Sequence, residues 1–304
     1  ILANVELVDV SGEELAGALA RIELEKTEPY MLPARFPDAQ LEAPGTFPSE
    51  RVGWIVRGRG VIDTWLRVVE RIMRYGTVKG TQYGSQQKEL IGVTWVIHDE
   101  DHGNPRLPTD WPQELKETTG ATPEAIREYH DVFLSPGKPS DVSYTYGNRL
   151  MRYPVPGTDA QTIDQIEESI IRNLKASPDT RRAVATTLVP WTDALSDEPP
   201  CITQVQALQS NGKLHFLVTV RSHDIFKAAI PNAFGLRMLQ ARLVQETGFE
   251  MGFLQITSQS AHLYEADWEH AKKLAACSFW EAPHRKITAD DADMFAVVTI
   301  SSRW

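Results

Sequence analysis

Cysteine is scarce in this chain. Two occur in 304 residues, Cys201 and Cys277, too few for a disulfide framework, and such use suggests a reducing compartment, the cytoplasm. Long apolar runs are lacking too. None approaches the about 20 residues needed to cross a bilayer, so no membrane partner is expected. The opening residues, Ile1-Leu-Ala-Asn-Val-Glu6, hold none of the basic residues that begin a signal peptide. Positive charge is in deficit: 31 Lys and Arg stand against 41 Asp and Glu, a formal net charge of -10. That argues against a nucleic-acid polymer as partner, because neutralising its phosphates takes a basic face. A mononucleotide is not excluded, since one phosphate needs only a local group of arginines. Metal-ligand spacing is missing as well. His98 and His102 stand four apart in a Pro- and Asp-rich loop with no strong third ligand, so no metal is expected.

What is present indicates a globular core, with 42% hydrophobic residues. Helical and strand patterns mix without βαβ regularity, repeats or low-complexity tracts. That favours one α+β domain over residues 1–304. Residues 1 to 50 carry little pattern. Gly53 to Gly60 reads as a Gly/Arg turn. Ile62, Trp65, Leu66, Val69, Ile72 and Met73 then recur at helical spacing over about Val61 to Tyr75. Leu90 to Ile97 reads as a buried segment, partly strand. Residues 98–140 are polar and Pro-rich, an insertion with one short helix opening at Thr122-Pro123-Glu124. Further helices are expected over Ala160 to Ala176, Ile225 to Thr247 (closed by Gly248) and His262 to Ala275. Strands are expected over Ala183 to Val189 and Met251 to Thr257.

The most informative stretch is Pro199-Pro200-Cys201, followed twenty residues on by Arg221-Ser222-His223-Asp224. Two alternating segments lie between, joined by Asn211-Gly212, a hairpin turn signature. A hairpin returns its end to the level of its start. The Cys201 thiol should therefore lie beside the Arg221 guanidinium and the Ser222 hydroxyl, a nucleophile next to an anion-binding pair. A lone cysteine is more often a small buried hydrophobe, and Cys277 fits that description. Arg181-Arg182 and the pair Arg57 and Arg59 add cations in two more turns. Adjacent arginines usually form a solvated face, but three Arg-bearing turns in one domain make a phosphate site plausible. Glu70 shares a helix with an apolar stripe; it is either an exposed helix charge or a buried carboxylate suited to moving protons. Tyr146 and Tyr264 taken singly read as packing residues.

In order, these residues resemble the thymidylate synthase superfamily, which includes the pyrimidine nucleotide hydroxymethylases. The similarity runs from about Arg57 to Leu274 and is densest from Ser177 to Tyr264. The resemblance implies Cys201 as nucleophile, Arg221 and Ser222 on the nucleotide phosphate, and Asp224 on the folate side. Arg181 and Arg182 would reach the phosphate bound in the other subunit of a homodimer with shared active sites. Arg57 and Arg59 join the phosphate group. Asn232 would read the pyrimidine edge, with Trp95, His262 and Tyr264 around base and sugar. Tyr146 would stand near the C5 proton, and Glu70 would be the catalytic glutamate. The implied substrates are a pyrimidine nucleoside monophosphate and 5,10-methylenetetrahydrofolate. The implied fold is a mixed sheet flanked by helices, one sheet face forming the dimer interface.

Departures from the family pattern bear on the product. Ile202 stands where a His usually follows the cysteine. The Arg-Thr-Gly loop with its later Thr-Thr-Lys is absent, and Arg57-Gly-Arg59-Gly stands in its place. The chain ends Ser301-Ser302-Arg303-Trp304 rather than on a short apolar tail that excludes water. These changes lean toward water, not hydride, capturing the new one-carbon group, as in a CMP or dCMP 5-hydroxymethylase of the nucleoside-antibiotic type. Asn232 is nonetheless the residue associated with uracil. Methylation of dUMP and a catalytically silent nucleotide-binding protein are the alternatives.

Overall fold

Where a Gly/Arg turn was expected, the chain runs as a strand. This is β1 (Ile55–Gly58), the first element in a computed structural model that describes residues 53–158 and 161–280, with side chains as far as residue 274. Expectations for residues 1–52, for the tail Ser301–Trp304 and for the Cys277 side chain lie outside the described residues. Helix α1 (Val61–Tyr75) has the expected bounds, and Val61, Trp65, Val68, Val69 and Ile72 are fully buried along one stripe. Its start is anchored from a distance. The Val61 amide donates to Glu100 Oε2 at 2.6 Å, and the Arg106 amide to Oε1 at 3.0 Å. Gly60 is needed there, because a Cβ would sit 2.7 Å from Glu100 Oε2.

Strands β2 (Thr77–Gly80) and β3 (Gln86–Ile97) form an antiparallel pair. Helices α2 (Gln113–Thr119) and α3 (Pro123–Leu134) follow. Thr122 caps α3 as the sequence suggests, its Oγ1 accepting from the Ala125 amide at 3.1 Å. The stretch 98–140 is less peripheral than its composition implies: Ala121, Ile126 and Phe133 belong to the main core. Phe133 packs where Gly235 has no side chain, and α4 (Tyr146–Met151) comes down on the end of α3 at Gly147. Sparse apolar residues suffice when they recur once per two turns on the inward side.

Strands β4 (Tyr153–Pro154) and β5 (Thr162–Ile163) form a small separate sheet. The helix expected from Ala160 starts later, as a π-helical turn over Ile166–Ile171 running into α5 (Arg172–Ala176). Then come β6 (Val184–Thr186), α6 (Pro190–Asp193), β7 (Ile202–Ser210), β8 (Lys213–Val220), β9 (His223–Asp224), α7 (Ala229–Thr247), β10 (Glu250–Tyr264) and α8 (Trp268–Trp280). The last helix therefore begins six residues later than expected, and His262 lies on β10. The main sheet runs β1-β3-β10-β8-β7-β6, with β2 paired to β3 and β9 to β10. Pairs β1–β3, β8–β10 and β9–β10 are parallel, the others antiparallel. This mixed sheet flanked by helices is the α+β fold expected. Helix α7, buried along most of its length, covers one face of the sheet. Among the described residues no helix is long and apolar enough to cross a membrane.

Candidate active site

The β7–β8 hairpin turns at Asn211 (φ 51) and Gly212 (φ 76), the two left-handed residues of a type I′ turn. Its register brings Ile202 opposite Val220. Cys201 and Arg221 therefore meet, and the Arg221 amide donates to the Cys201 carbonyl at 2.8 Å. The Arg221 side chain folds back over the Pro-Pro turn. Its Nε donates to the Pro200 carbonyl at 3.0 Å and its Nη2 to the Pro199 carbonyl at 2.6 Å. Two of the five guanidinium N–H groups thus hold the turn, and the side chain is exposed with donors to spare.

Cys201 is a free, half-buried thiol. Burial pushes its pKa above the ordinary value; Arg221 pulls it down and Asp224 pushes it further up. The cationic neighbour does act as expected, but desolvation outweighs it, so the group is a thiol at neutral pH. Four phenols, Tyr129, Tyr144, Tyr146 and Tyr264, have pKa values pushed up in part by Cys201. Burial raises the pKa of each, most strongly for Tyr146. Three belong to one ladder of rings. Tyr129 meets Phe133 at 6.4 Å, Phe133 stacks on Tyr146 at 4.9 Å, and Tyr146 meets Tyr144 edge-on at 5.8 Å. Ile202, in the position after the cysteine, is buried in the core at 1% exposure.

Along β10 one face changes character. Leu254 and Ile256 are fully buried and apolar, and the next alternate positions are Ser258, Ser260, His262 and Tyr264. The polar end is the end level with Val220, since Ser258 pairs with it. His262 pairs with Glu89 on β3 and Asp224 on β9, and its ring meets Tyr264 edge-on at 5.1 Å. Burial lowers the His262 pKa, while Asp224 and Glu89 oppose that shift. Asp224 Oδ1 accepts from the amides of Phe226 and Lys227, both at 3.0 Å, closing the turn into α7. Asn232 sits in the first turn of α7 at 4% exposure, and its Oδ1 is buried with no hydrogen-bond partner among the described residues. A buried acceptor left unpaired is costly, which marks this as a place where a ligand donor fits.

Several expected residues are not gathered here. Glu70 lies off the buried stripe of α1 and lines an open surface cleft of about 450 Å³ with Met73, Arg74, Lys88 and Trp268. Arg57 and Arg59 are at the opposite end of the sheet, because Gly58 is level with Ile97, then Leu254, then Phe216. Arg59 pairs there with Asp99 at 3.0 Å. The turn expected to cradle phosphate is a strand, and the strand carries its arginines away. Trp95 is fully buried, donating from Nε1 to Ser258 Oγ at 3.2 Å. It supports the site from beneath rather than lining it. Arg181 and Arg182 are exposed just before β6, and Val184 pairs with Gln206. They lie near the turn end of the hairpin, on the order of 20 Å along β7 from the Cys201 of their own chain. Ser222, half-buried, follows Arg221 directly.

Four contributors escaped the sequence reading. Tyr144 left a signal, the period-two pair Tyr144 and Tyr146. Tyr129 left one too, standing four residues before Phe133 on α3. Glu89 and Ser260 left none, since nothing local separates them from exposed strand residues.

A sequence model of the thymidylate synthase family matches residues 109–301. A protein of Methanosarcina acetivorans is 32% identical over 223 residues, covering 73% of this chain and 95% of that protein. One of Methanothermobacter thermautotrophicus is 33% identical over 219 residues, covering 70% and 95%. One of Methanopyrus kandleri is 34% identical over 217 residues, covering 70% and 94%. Each is named "putative thymidylate synthase". Matches of that length across the Cys201 hairpin, α7 and β10 show that the chain belongs to the thymidylate synthase family.

Proposed function

We propose that this protein transfers a one-carbon unit from 5,10-methylenetetrahydrofolate to C5 of a pyrimidine nucleoside monophosphate, and that water completes the reaction to give a 5-hydroxymethyl nucleotide, CMP being the substrate tested first. C5 of a pyrimidine is a poor nucleophile. Addition of the Cys201 sulfur to C6 moves an electron pair onto the C5–C4 edge, and C5 can then form the bond to the one-carbon unit. Asn232, whose buried Oδ1 has no protein partner among the described residues, reads the N3/C4 edge where charge develops. Arg221 and Ser222 bind the phosphate. His262 and Tyr264 meet the sugar, Asp224 faces the folate, and Tyr146 helps pass the C5 proton to water. Burial holds the thiol pKa up against the pull of Arg221. Proton removal from Sγ during addition is assigned to water.

The observation that carries the choice of water is the group of tyrosines near Cys201, three of them in one ladder of rings. Tyr129, Tyr144, Tyr146 and Tyr264 each have a pKa raised chiefly by burial and in smaller part by Cys201. Phenol hydroxyls both donate and accept, so such a wall holds water where hydride delivery favours a dry one. Methylation of dUMP is the second reading, favoured by the names of the relatives. The test is the mass of the product formed from CMP, dCMP, UMP and dUMP with methylenetetrahydrofolate, followed alongside near-ultraviolet absorbance. A product heavier by a hydroxymethyl group, with no absorbance rise, is expected. A methylated product with a stoichiometric rise from dihydrofolate would move the assignment to thymidylate synthesis.

Arg181 and Arg182 are assigned to the phosphate of a second subunit, a reading supported by their distance along β7 from their own Cys201. A double Arg181→Ala/Arg182→Ala variant and Cys201→Ala are each expected to be weak or inactive. Mixed dimers of the two would regain one intact site, about a quarter of wild-type activity after random pairing. Mixed dimers with no regained activity would return the arginines to their own chain's site.

A further inference from the structure

Beside His262 the hydrogen atoms can be counted. Ser260 has one hydroxyl hydrogen and donates it to Glu89 Oε1. The other carboxylate oxygen, Oε2, pairs with the Lys79 ammonium. The Ser260 hydroxyl is left with lone pairs only, and it lies 3.3 Å from His262 Nδ1. The second neighbour of Nδ1 is the Ser260 carbonyl oxygen, also at 3.3 Å. Both neighbours are acceptors, so Nδ1 carries the ring hydrogen and Nε2 of the neutral ring carries a lone pair.

We propose that Glu89, acting through Ser260, is a positioning residue: it locks the His262 tautomer so that Nε2 accepts a hydrogen bond from a sugar hydroxyl of the nucleotide. This rests on the reading above of His262 as a sugar contact. The pieces come from separate strands. Lys79 is on β2, Glu89 on β3, and Ser260 and His262 two apart on β10. Glu89 is 8% exposed and His262 3%, so water does not compete freely for either. A buried carboxylate between a lysine and a serine is costly to keep, and a local polar contact on an exposed strand would not need one.

Charge around His262 is mixed. Asp224 on β9 and Glu89 favour its protonation, whereas burial and Lys79 oppose it. His223, also on β9, is neutral over the working range because burial lowers its pKa to about 3, and it feels His262. Tyr264 lies against the ring. A protonated His262 has no lone pair to offer. Nucleotide binding is therefore expected to weaken as pH falls through the His262 pKa. Glu89→Gln removes a charge that favours protonation, so this acid limb moves to lower pH. An amide can also offer a donor to Ser260, which frees the serine hydrogen to turn toward Nδ1 and unlocks the tautomer.

Calorimetric titration from pH 5 to 8 tests this with CMP and dUMP, the tighter binder then being compared with its 3′-deoxy analogue. Glu89→Gln is expected to weaken the parent nucleotide about five- to tenfold, the worth of one hydrogen bond. It should leave the 3′-deoxy analogue nearly unchanged and shift the acid limb downward. Ser260→Ala, which keeps the Glu89–Lys79 pair, should reproduce the selective loss. Equal weakening of both nucleotides, or an unmoved acid limb in Glu89→Gln, overturns the proposal. His262→Gln binding both nucleotides as wild type does would instead overturn the sugar contact itself. Failure of wild type to bind either parent nucleotide would sink both.

Discussion

Gly58-Arg59-Gly60 leaves β1 at the end of the sheet level with Leu254 and Phe216, while Pro199-Pro200-Cys201 and Arg221 stand at the other end, level with Ser258. Both are basic turns beside Gly or Pro, yet their arginines are held differently. Arg59 reaches an aspartate that is itself 64% exposed, a pairing that solvent and salt screen to little net value. Arg221 is fixed by two backbone carbonyls and has no ion-pair partner among the described residues. The strand faces differ in the same sense, apolar at 254 and 256 and polar at 258, 260 and 262. Among the described residues, preorganised donors, a thiol and unsatisfied polar groups collect at the Cys201 end. The teaching is that a cationic turn becomes a binding site when its own backbone, rather than a counter-ion, holds it in place.

The sharpest way to break this comparison is Cys201→Ala. Turnover is expected to fall by at least about a thousandfold, the usual scale for loss of a nucleophile. Nucleotide affinity measured by calorimetry should persist. Substantial turnover in that variant would remove the covalent mechanism. Arg221→Ala comes next. Losing one charge-assisted phosphate contact costs about 1.5–3 kcal/mol, roughly 10- to 150-fold in nucleotide affinity. Arg59→Ala at the other end should change affinity less than about threefold, and parity between the two variants would erase the distinction drawn here.

Acid unfolding sharpens the contrast further. His223 is fully buried and neutral, its pKa lowered to about 3, whereas an unfolded histidine protonates below about 6.5. The unfolded state therefore binds more protons between those values, and stability falls as pH drops from about 6.5 toward 3. The slope amounts to several kcal/mol at the limit. His223→Gln should flatten it in urea titrations. His215 is also lowered, by burial and by Lys213, but it is less buried, so His215→Gln should flatten the slope less. The smallest effect is expected for Glu70→Gln, which should leave kcat within about twofold while Tyr146→Phe lowers it clearly. A large kcat loss in Glu70→Gln would bring that carboxylate back into the chemistry.

Much of the fold was legible. Helix α1 was read to its bounds because burial on one side repeats every turn, and most of the β7–β8 register followed from Asn211-Gly212, up to the bulge between Ile202 and Gln204. The elements misread were those whose character depends on partners. Val56 and Gly58 look like part of a loop until β3 lies beside them. His262 looks like a helix start until β3 and β9 flank it. The stretch 98–140 looks like an insertion until Gly147 and Gly235 make room for Phe133.

By itself the sequence determined that Cys201 lies beside Arg221-Ser222, because a two-residue turn sets the strand pairing to within the one-residue bulge between Ile202 and Gln204. It also determined the family, through an ordered set of residues spread from Cys201 to Tyr264. Only the tertiary structure decided which charges join them. Glu70, Arg57 and Arg59 were set apart by helix rotation and by strand order, and Tyr129, Glu89 and Ser260 were brought in from distant segments. The physical reason is that hairpin closure is local, whereas burial of a phenol or a carboxylate beside a thiol depends on neighbours that no stretch of chain specifies alone.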